Sequence, residues 1–319
     1  MKKIIAPIDL SLLEKELTQE KFLRKTNVGN NSIFIITAHD SPHVMQEIGR
    51  LRELTFREAG GGTGNEVDID EYDTAEIPFK QLIVWNNETK EIVSSYRFIL
   101  GNEVPLDENG YPHTPTSKLF HFSQKYIDNQ WQKTIELGRS FVQPKYQGTT
   151  NPRVGLFSLD NLWDGIGALA VVYPSTRYFL GKMTMYNSYN RLARNLILFF
   201  LRKYFRGNKN LIYPIHPIEK DKGKQVFRSI FRNGSYKEDF KVLNENIRDL
   251  KTSIPPLIKS YMSLSKTMKC FGASANPDFG PVEEIAISIK IKDINEDKRK
   301  RYIDSYEGKK KKRSRKRNL

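Results

Sequence analysis

Thr134-Ile-Glu136-Leu-Gly-Arg139-Ser140-Phe-Val142 is the stretch on which the reading of the chain turns. Ile135, Leu137, Phe141 and Val142 give it the apolar character of a strand, and Pro144 closes it. A carboxylate and a guanidinium inside such a strand are costly to bury unless each finds a partner. Upstream, Asp68-Ile-Asp70-Glu-Tyr-Asp73 offers anions, and Arg52 and Arg97 offer cations. A charge-balanced cluster of this kind is either a structural ion-pair network or an active site, and the residues alone leave both readings open.

Working outward, residues 33–36 read as a strand. Ser41-Pro42 opens a helix, with Ser41 as cap and Pro42 in the first turn, and Val44, Ile48, Leu51 and Phe56 form its apolar stripe. Gly60-Gly-Gly-Thr-Gly64 has the glycine content of a phosphate cradle. It lacks the Lys-Ser/Thr that would follow, so it predicts a mobile loop or lid. Residues 79–85 and 91–100 read as a hairpin through Asn86-Asn87, and 106–131 as a long aromatic-rich connection. Beyond the Glu136 strand come a helix over 154–172, a strand over 177–183 and an amphipathic helix over 186–205. Helical segments over 244–266 are broken at Pro255-Pro256, and a last strand over 284–292 alternates through Ile285, Ile287, Ile289 and Ile291. The order predicts an α/β fold, a mixed central sheet with helices on both faces. Residues 1–32, with helical spacing over 10–24, read as an accessory arm, 33–293 as one domain and 294–319 as a basic, disordered tail.

At 38% hydrophobic residues, with 18 Phe and 15 Tyr, the 319 residues can bury a sizeable core. The longest apolar run, 196–201, falls well short of the ~20 residues of a membrane-spanning helix. It is flanked by Arg194, Arg202 and Lys203. Met1-Lys-Lys-Ile-Ile begins like a signal peptide, but the apolar segment stops within a few residues. The single cysteine, Cys270, excludes an intramolecular disulfide and fits a reducing compartment, so the expectation is a cytoplasmic protein. Of the net charge of +15, eight charges lie between Lys309 and Arg317, which leaves +7 for the rest. The tail would attract any polyanion. The basic helix over 186–205 reads first as packing on the sheet, with peripheral contact with the inner face of an anionic membrane as its other reading. No specific nucleic acid is expected.

Several motifs in order resemble the amino-acid N-acyltransferases of the GNAT superfamily that make ornithine and glycine lipids, the hemolysin-like family, and their relatives the acyl-homoserine-lactone synthases. Arg52 and Phe56 stand one helical turn apart, followed by Asp70-x-x-Asp73, Tyr96-Arg97, Glu136-x-x-Arg139-Ser140 and Val142-x-Pro144. The lipid-making branch is matched further by Leu162-Trp163-x-Gly165, by Pro255-Pro256-Leu257-x-Lys259-x-Tyr261 and by Asp278-Phe279. The match runs from about residue 33 to 293. The pyrophosphate-cradling Gly-rich loop of acetyl-CoA enzymes is only partly kept in Tyr146-Gln-Gly-Thr-Thr-Asn-Pro-Arg153. That favours a phosphopantetheine thioester on acyl carrier protein, an acidic partner suited to a basic body.

The resemblance implies transfer of a fatty acyl chain, 3-hydroxylated in the lipid branch, to the amino group of glycine or ornithine. No metal and no resident cofactor is required. Amine attack on a thioester needs a base and donors for the developing oxyanion. By resemblance, Glu136 is the candidate base, direct or through a water, within the Arg139-Ser140 motif. The amides near Phe141 and Val142 are the oxyanion candidates. Arg97 and Arg139 would pin the acceptor carboxylate or orient Glu136, and Arg52, Asp70 and Asp73 would fix the lid and donor arm. Phe56 and Trp163 are carried over as substrate-binding positions. Phe120, Phe122, Trp131 and Trp163 would line an acyl channel or simply pack the core. His39 and His43 have metal-like spacing without a third ligand and read as structural. The alternatives are a homoserine-lactone-type signal synthase, or a non-catalytic scaffold holding membrane or nucleic acid through its basic tail.

Overall fold

The computed structural model describes residues 1–148, 152–218, 223–232 and 234–306. In chain order the strands are β1 (Phe22–Lys25), β2 (Ser32–Ile36), β3 (Lys80–Asn86), β4 (Glu91–Leu100), β5 (Phe120–Phe122), β6 (Thr134–Val142), β7 (Tyr178–Tyr186), β8 (Ile212–Pro214), β9 (Lys269–Ala275) and β10 (Val282–Lys290). The helices are α1 (Leu10–Glu16), α2 (Pro42–Ala59), α3 (Glu71–Thr74), α4 (Gln124–Asn129), α5 (Pro152–Val172), α6 (Arg191–Tyr204), α7 (Lys224–Ile230), α8 (Tyr236–Asp249) and α9 (Pro256–Leu264). The main sheet runs β1-β2-β3-β4-β6-β7-β10-β9, with β5 and β8 paired separately. Every neighbouring pair in the main sheet is antiparallel except β6 and β7.

Alternation divides the side chains between two faces. Ile33, Leu82, Val84 and Ile287 pack with α5, α6, α8 and α9 in the largest apolar cluster. Phe34, Ile83 and Trp85 pack on the other face against Val44, Ile48 and Leu51 of α2. This is the mixed α/β sheet with helices on both faces that the element order predicts. Gly165 lets α5 lie close to the sheet, because an added Cβ would stand 2.6 Å from a Leu82 methyl. Asp164 ties the same helix to the Asn27 amide at 2.7 Å, so Leu162-Trp163-x-Gly165 is a docking motif for α5.

Several details differ from the pattern-based reading. The helix read over 10–24 ends at Glu16, and Phe22–Lys25 becomes the edge strand β1, because its backbone finds partners on β2. The segment 1–32 is thereby joined to the sheet. Ser41 occupies the cap position of α2 but makes no capping bond. Glu16 of α1 does so instead, accepting from His43 N at 3.2 Å and Val44 N at 2.9 Å. The helix read over 186–205 starts only after Asn190, whose side chain accepts from the Leu192 and Ala193 amides. β8 and β9 lay outside the predicted strands. Residues 299–304 continue past 293 as a turn whose Tyr302 and Ile303 join the main core. From residue 307 the basic tail lies outside the described residues, as does the 149–151 part of the partial Gly loop. No described helix is long and apolar enough to cross a membrane.

The feature that shapes the site is the parting of β6 from β7. They pair at Thr134↔Tyr178, Ile135↔Phe179 and Glu136↔Leu180, and no further. On its other side β6 stays on β4, but Ser95↔Phe141 and Arg97↔Gly138 leave Arg139 and Ser140 together opposite Tyr96. That is a β-bulge, and Arg139 takes a left-handed φ of 48° in it. A non-glycine residue costs about 1–3 kcal/mol in such a conformation, and such strain concentrates at working sites.

Candidate active site

A cavity of about 450 Å³ opens where β6 and β7 diverge. Phe56, Asp70, Tyr96, Arg97, Arg139, Ser140, Lys182, Thr184, Asn276, Asp278, Phe279 and Glu284 are among the residues that line it. Backbone groups of β6 from Leu137 to Val142 are not used by a ladder with β7, so this strand borders the cavity with amides uncommitted on that side.

One wall is an ion network of three guanidiniums and three carboxylates. Arg52, fully buried, donates to Asp73 Oδ2 at 2.9 Å, Gln81 Oε1 at 2.6 Å and the Asp68 carbonyl at 3.2 Å. Arg97 Nη1 donates to both Asp70 oxygens at 2.7 and 2.8 Å and to Asp73 Oδ2 at 3.2 Å. Arg139 Nε lies 2.9 Å from Asp68 Oδ2, an ion pair by distance without hydrogen-bond alignment, and its guanidinium sits 4.2 Å over the Phe279 ring. The Asp70-x-x-Asp73 spacing has a local cause. It is the capping box of α3, with Asp70 Oδ1 accepting from Tyr72 N and Asp73 N, and Asp73 Oδ2 accepting from Asp70 N. The one-turn helix therefore aims both carboxylates at Arg97. Burial disfavours the Asp73 carboxylate, but Arg52 and Arg97 outweigh it and hold its pKa well below the usual range. Burial wins at Asp68, whose carboxyl is raised despite Arg139, Arg52 and Arg97.

Glu136 stands one layer behind the cavity wall. It is 1% exposed and is not among the lining residues. Thr116 N and Oγ1 donate to its Oε1 at 3.1 and 2.6 Å, and its Oε2 has no hydrogen-bond partner among the described residues. Lys182 Nζ, which does reach the cavity, donates to Thr116 Oγ1 at 2.9 Å. The path from Glu136 to the cavity thus runs through Thr116 to Lys182. Burial lowers the Lys182 pKa against the opposing pull of Glu136 and Glu284.

Asp70, Arg97, Arg139, Ser140 and Phe56 come together at the cavity as read from the sequence. Arg52 and Asp73 lie behind it as the network's inner half. Phe141 packs edge-on to Phe56, and Phe56 to Phe279, with centroids 6.4 and 5.0 Å apart. Trp163 is elsewhere, buried in the main core with Nε1 donating to Ser260 Oγ at 2.8 Å. Phe120, Phe122 and Trp131 form a separate buried cluster rather than a channel. His43 Nδ1 is bonded to Glu16 at 2.6 Å and His39 Nε2 to the Ala75 carbonyl at 2.8 Å. Burial pushes the Cys270 thiol up to about 11.

Lys182, Thr116 and Glu284 were not singled out in the sequence. Parity carried a signal for Glu284: Ile285, Ile287 and Ile289 fill one face of β10, so Glu284 falls on the other. Thr116 had none, since it arrives from the long 106–131 connection. The Gly60–Gly64 segment is also more tightly held than its composition suggests. Gly60 caps α2 with a φ of 97°, and Glu53 accepts from Thr63 N at 3.0 Å, Thr63 Oγ1 at 2.8 Å and Gly64 N at 2.7 Å.

Residues 51–155 match the family model of the Acetyltransferase (GNAT) domain. The chain is 52% identical over 306 residues to a glycine N(alpha)-acyltransferase of Phocaeicola vulgatus, covering 96% of this chain and 94% of that protein. It is 52% identical over 306 residues to a glycine N(alpha)-acyltransferase of Bacteroides thetaiotaomicron, covering 91% of that protein. The solved structure of FeeM, an N-acyl amino acid synthase from uncultured soil microbes, overlaps 83% of this chain and 94% of its own with a TM-score of 0.39 and 9% identity, a likeness too distant to weigh. At half its residues across nearly its whole length, the chain belongs to the acyltransferase family of the two glycine N(alpha)-acyltransferases, built around a GNAT domain.

Proposed function

We propose that this protein N-acylates glycine with a long acyl chain, 3-hydroxylated, delivered as a thioester by acyl carrier protein, as the first step of aminolipid synthesis. The kinship with two glycine N(alpha)-acyltransferases over 96% of the chain carries this reading. The cavity supplies a fitting chemistry. The thioester enters the gap between β6 and β7, and its carbonyl oxygen is received near Phe141 and Val142 by the Val142 amide, which alternation turns away from β4 because the next amide, Gln143 N, donates to the Val93 carbonyl at 3.1 Å. Arg97 and Arg139, each anchored by carboxylates, hold the wall rigid around the reacting atoms. Glu136 serves the site through Thr116 and Lys182, keeping the ammonium oriented. The basic body offers a complementary field to an acidic carrier protein and to the inner face of an anionic membrane.

Mass spectrometry of lipids from cells given this gene tests the assignment. A new N-acylglycine is expected, whereas N-acylornithine alone, or an unchanged lipid profile with the protein expressed and folded, overturns it. Replacement Glu136→Gln, which preserves shape, is expected to lower turnover at least about tenfold. Turnover at the parental rate would remove Glu136 from the mechanism.

A further inference from the structure

We propose that Lys182 and Glu284 form the acceptor subsite, which takes a zwitterionic α-amino acid with its carboxylate on Lys182 and its nitrogen against Glu284. This rests on the N-acylation reading and moves the acceptor carboxylate from Arg97 and Arg139, both already held by carboxylates, to Lys182.

The register of the sheet sets the pair up. Glu284 of β10 faces Thr184 of β7, and Lys182 faces Ala286. Lys182 and Glu284 are therefore diagonal neighbours, with Cβ atoms about 7 Å apart. That span suits a molecule whose amine and carboxylate are separated by one carbon. The residue directly across from Lys182 is alanine, so no bulky side chain stands opposite the ammonium.

The other cations at the wall are already matched, and Asp278 is an exposed anion. Arg97 is held by Asp70 and Asp73, Arg139 by Asp68, and Lys118 by Glu71. Among the described residues Lys182 makes one hydrogen bond, to the Thr116 hydroxyl, and no ion pair. Among the same residues Glu284 makes no ion pair either. Its oxygens accept only long bonds, from Thr184 Oγ1 at 3.1 and 3.2 Å and from Asn276 Nδ2 at 3.4 Å. One cation and one anion, neither in a contact ion pair among the described residues, share a cavity, and a zwitterion presents one charge of each sign. The groups that face Glu284 are Lys182 and Tyr186 of β7, Arg139 of β6, and Asp278, which lines the same cavity. Burial raises the Glu284 pKa against the pull of Lys182, which makes it a stronger proton acceptor.

The step balances as follows. The bound ammonium gives one proton to Glu284 and becomes the neutral amine. Its nitrogen attacks the thioester carbonyl carbon, the C–N bond forms and the C–S bond breaks. The second proton lost from nitrogen ends on the departing sulfur as the thiol, and Glu284 returns its proton to solvent.

Steady-state kinetics of the full chain with glycine and with glycinamide, using a long-chain acyl carrier protein thioester, test the pair. Glu284→Gln is expected to lower kcat for glycine about 100-fold and to raise its KM, because the ammonium loses its anion, and its residual rate to climb with pH in step with the free amine. Lys182→Met is expected to lower kcat/KM for glycine about tenfold or more while leaving glycinamide unaffected, and Lys182→Arg to restore the discrimination. Glu284→Gln turning over at the parental rate, or Lys182→Met losing equally on both acceptors, overturns the proposal. Should Glu284→Gln fail to fold, Glu284→Asp decides, because it keeps a carboxylate and is expected to retain activity; its complete loss in a folded protein overturns the pair. If the parent forms no amide with any amino acid, the N-acylation reading fails and the pair falls with it. If the parent acylates glycine and the variants match it, the pair alone fails.

Discussion

Asp73 shows how one residue can serve the fold and the site together. It receives Arg52 and Arg97 while closing the capping box of α3. Its folded pKa lies below the unfolded one, so its ionised form stabilises the protein at every pH above roughly 4. That contribution fades as pH falls through the folded value. Asp73→Asn is expected to cost about 3 kcal/mol in urea denaturation at pH 7, because two guanidiniums lose their shared partner. The penalty should shrink between pH 4 and pH 2, and one that stays constant across that range contradicts the ion-network account. Arg139 is the counterpart on the strand. Its left-handed φ is kept because the bulge carries the guanidinium back over Phe279 and beside Asp68.

Among the elements, α2 depends on a neighbour for its beginning. Glu16 at the end of α1 takes the two amides that Ser41 leaves open. Glu16→Ala is expected to cost about 1 kcal/mol in equilibrium unfolding, while Ser41→Ala costs less through the cap itself. A Glu16→Ala protein as stable as the parent would contradict this division of labour. The same comparison explains what the sequence could and could not convey. The hairpin signal of 79–85 and 91–100 around Asn86-Asn87, the period-2 alternation of 284–292 and the apolar stripe of α2 are local, and they made the sheet legible. Residues 22–24 fall within the helical spacing of 10–24, but the pairing of Phe22–Lys25 with β2 is a tertiary fact that outweighs local spacing. In the site, Arg52, Asp70, Asp73, Arg97 and Arg139 were legible because charges in apolar elements must find one another. Thr116 and Lys182 were not, since their meeting depends on a connection with no periodic signal.

For the whole molecule, the sheet is a frame that parts at one place, and the cavity lies at that parting. Two of the four basic residues of the amphipathic helix α6 are spent on the protein itself, Arg194 on Glu283 and Lys203 on Asp239. Catalysis in solution should therefore not need the tail. Deleting residues 309–319 is expected to leave turnover of a soluble acyl carrier protein thioester unchanged, and loss of turnover in a folded truncated protein would favour a binder working through its basic arm. The most direct measurement combines the purified chain, a long-chain 3-hydroxyacyl thioester of acyl carrier protein and glycine, followed by mass spectrometry and thiol titration. N-acylglycine appearing in equal amount with free carrier-protein thiol is the expected result. Thioester left intact, or hydrolysed to free acid without amide, with folded protein in hand, would contradict the assignment of this cavity to amino-acid N-acylation.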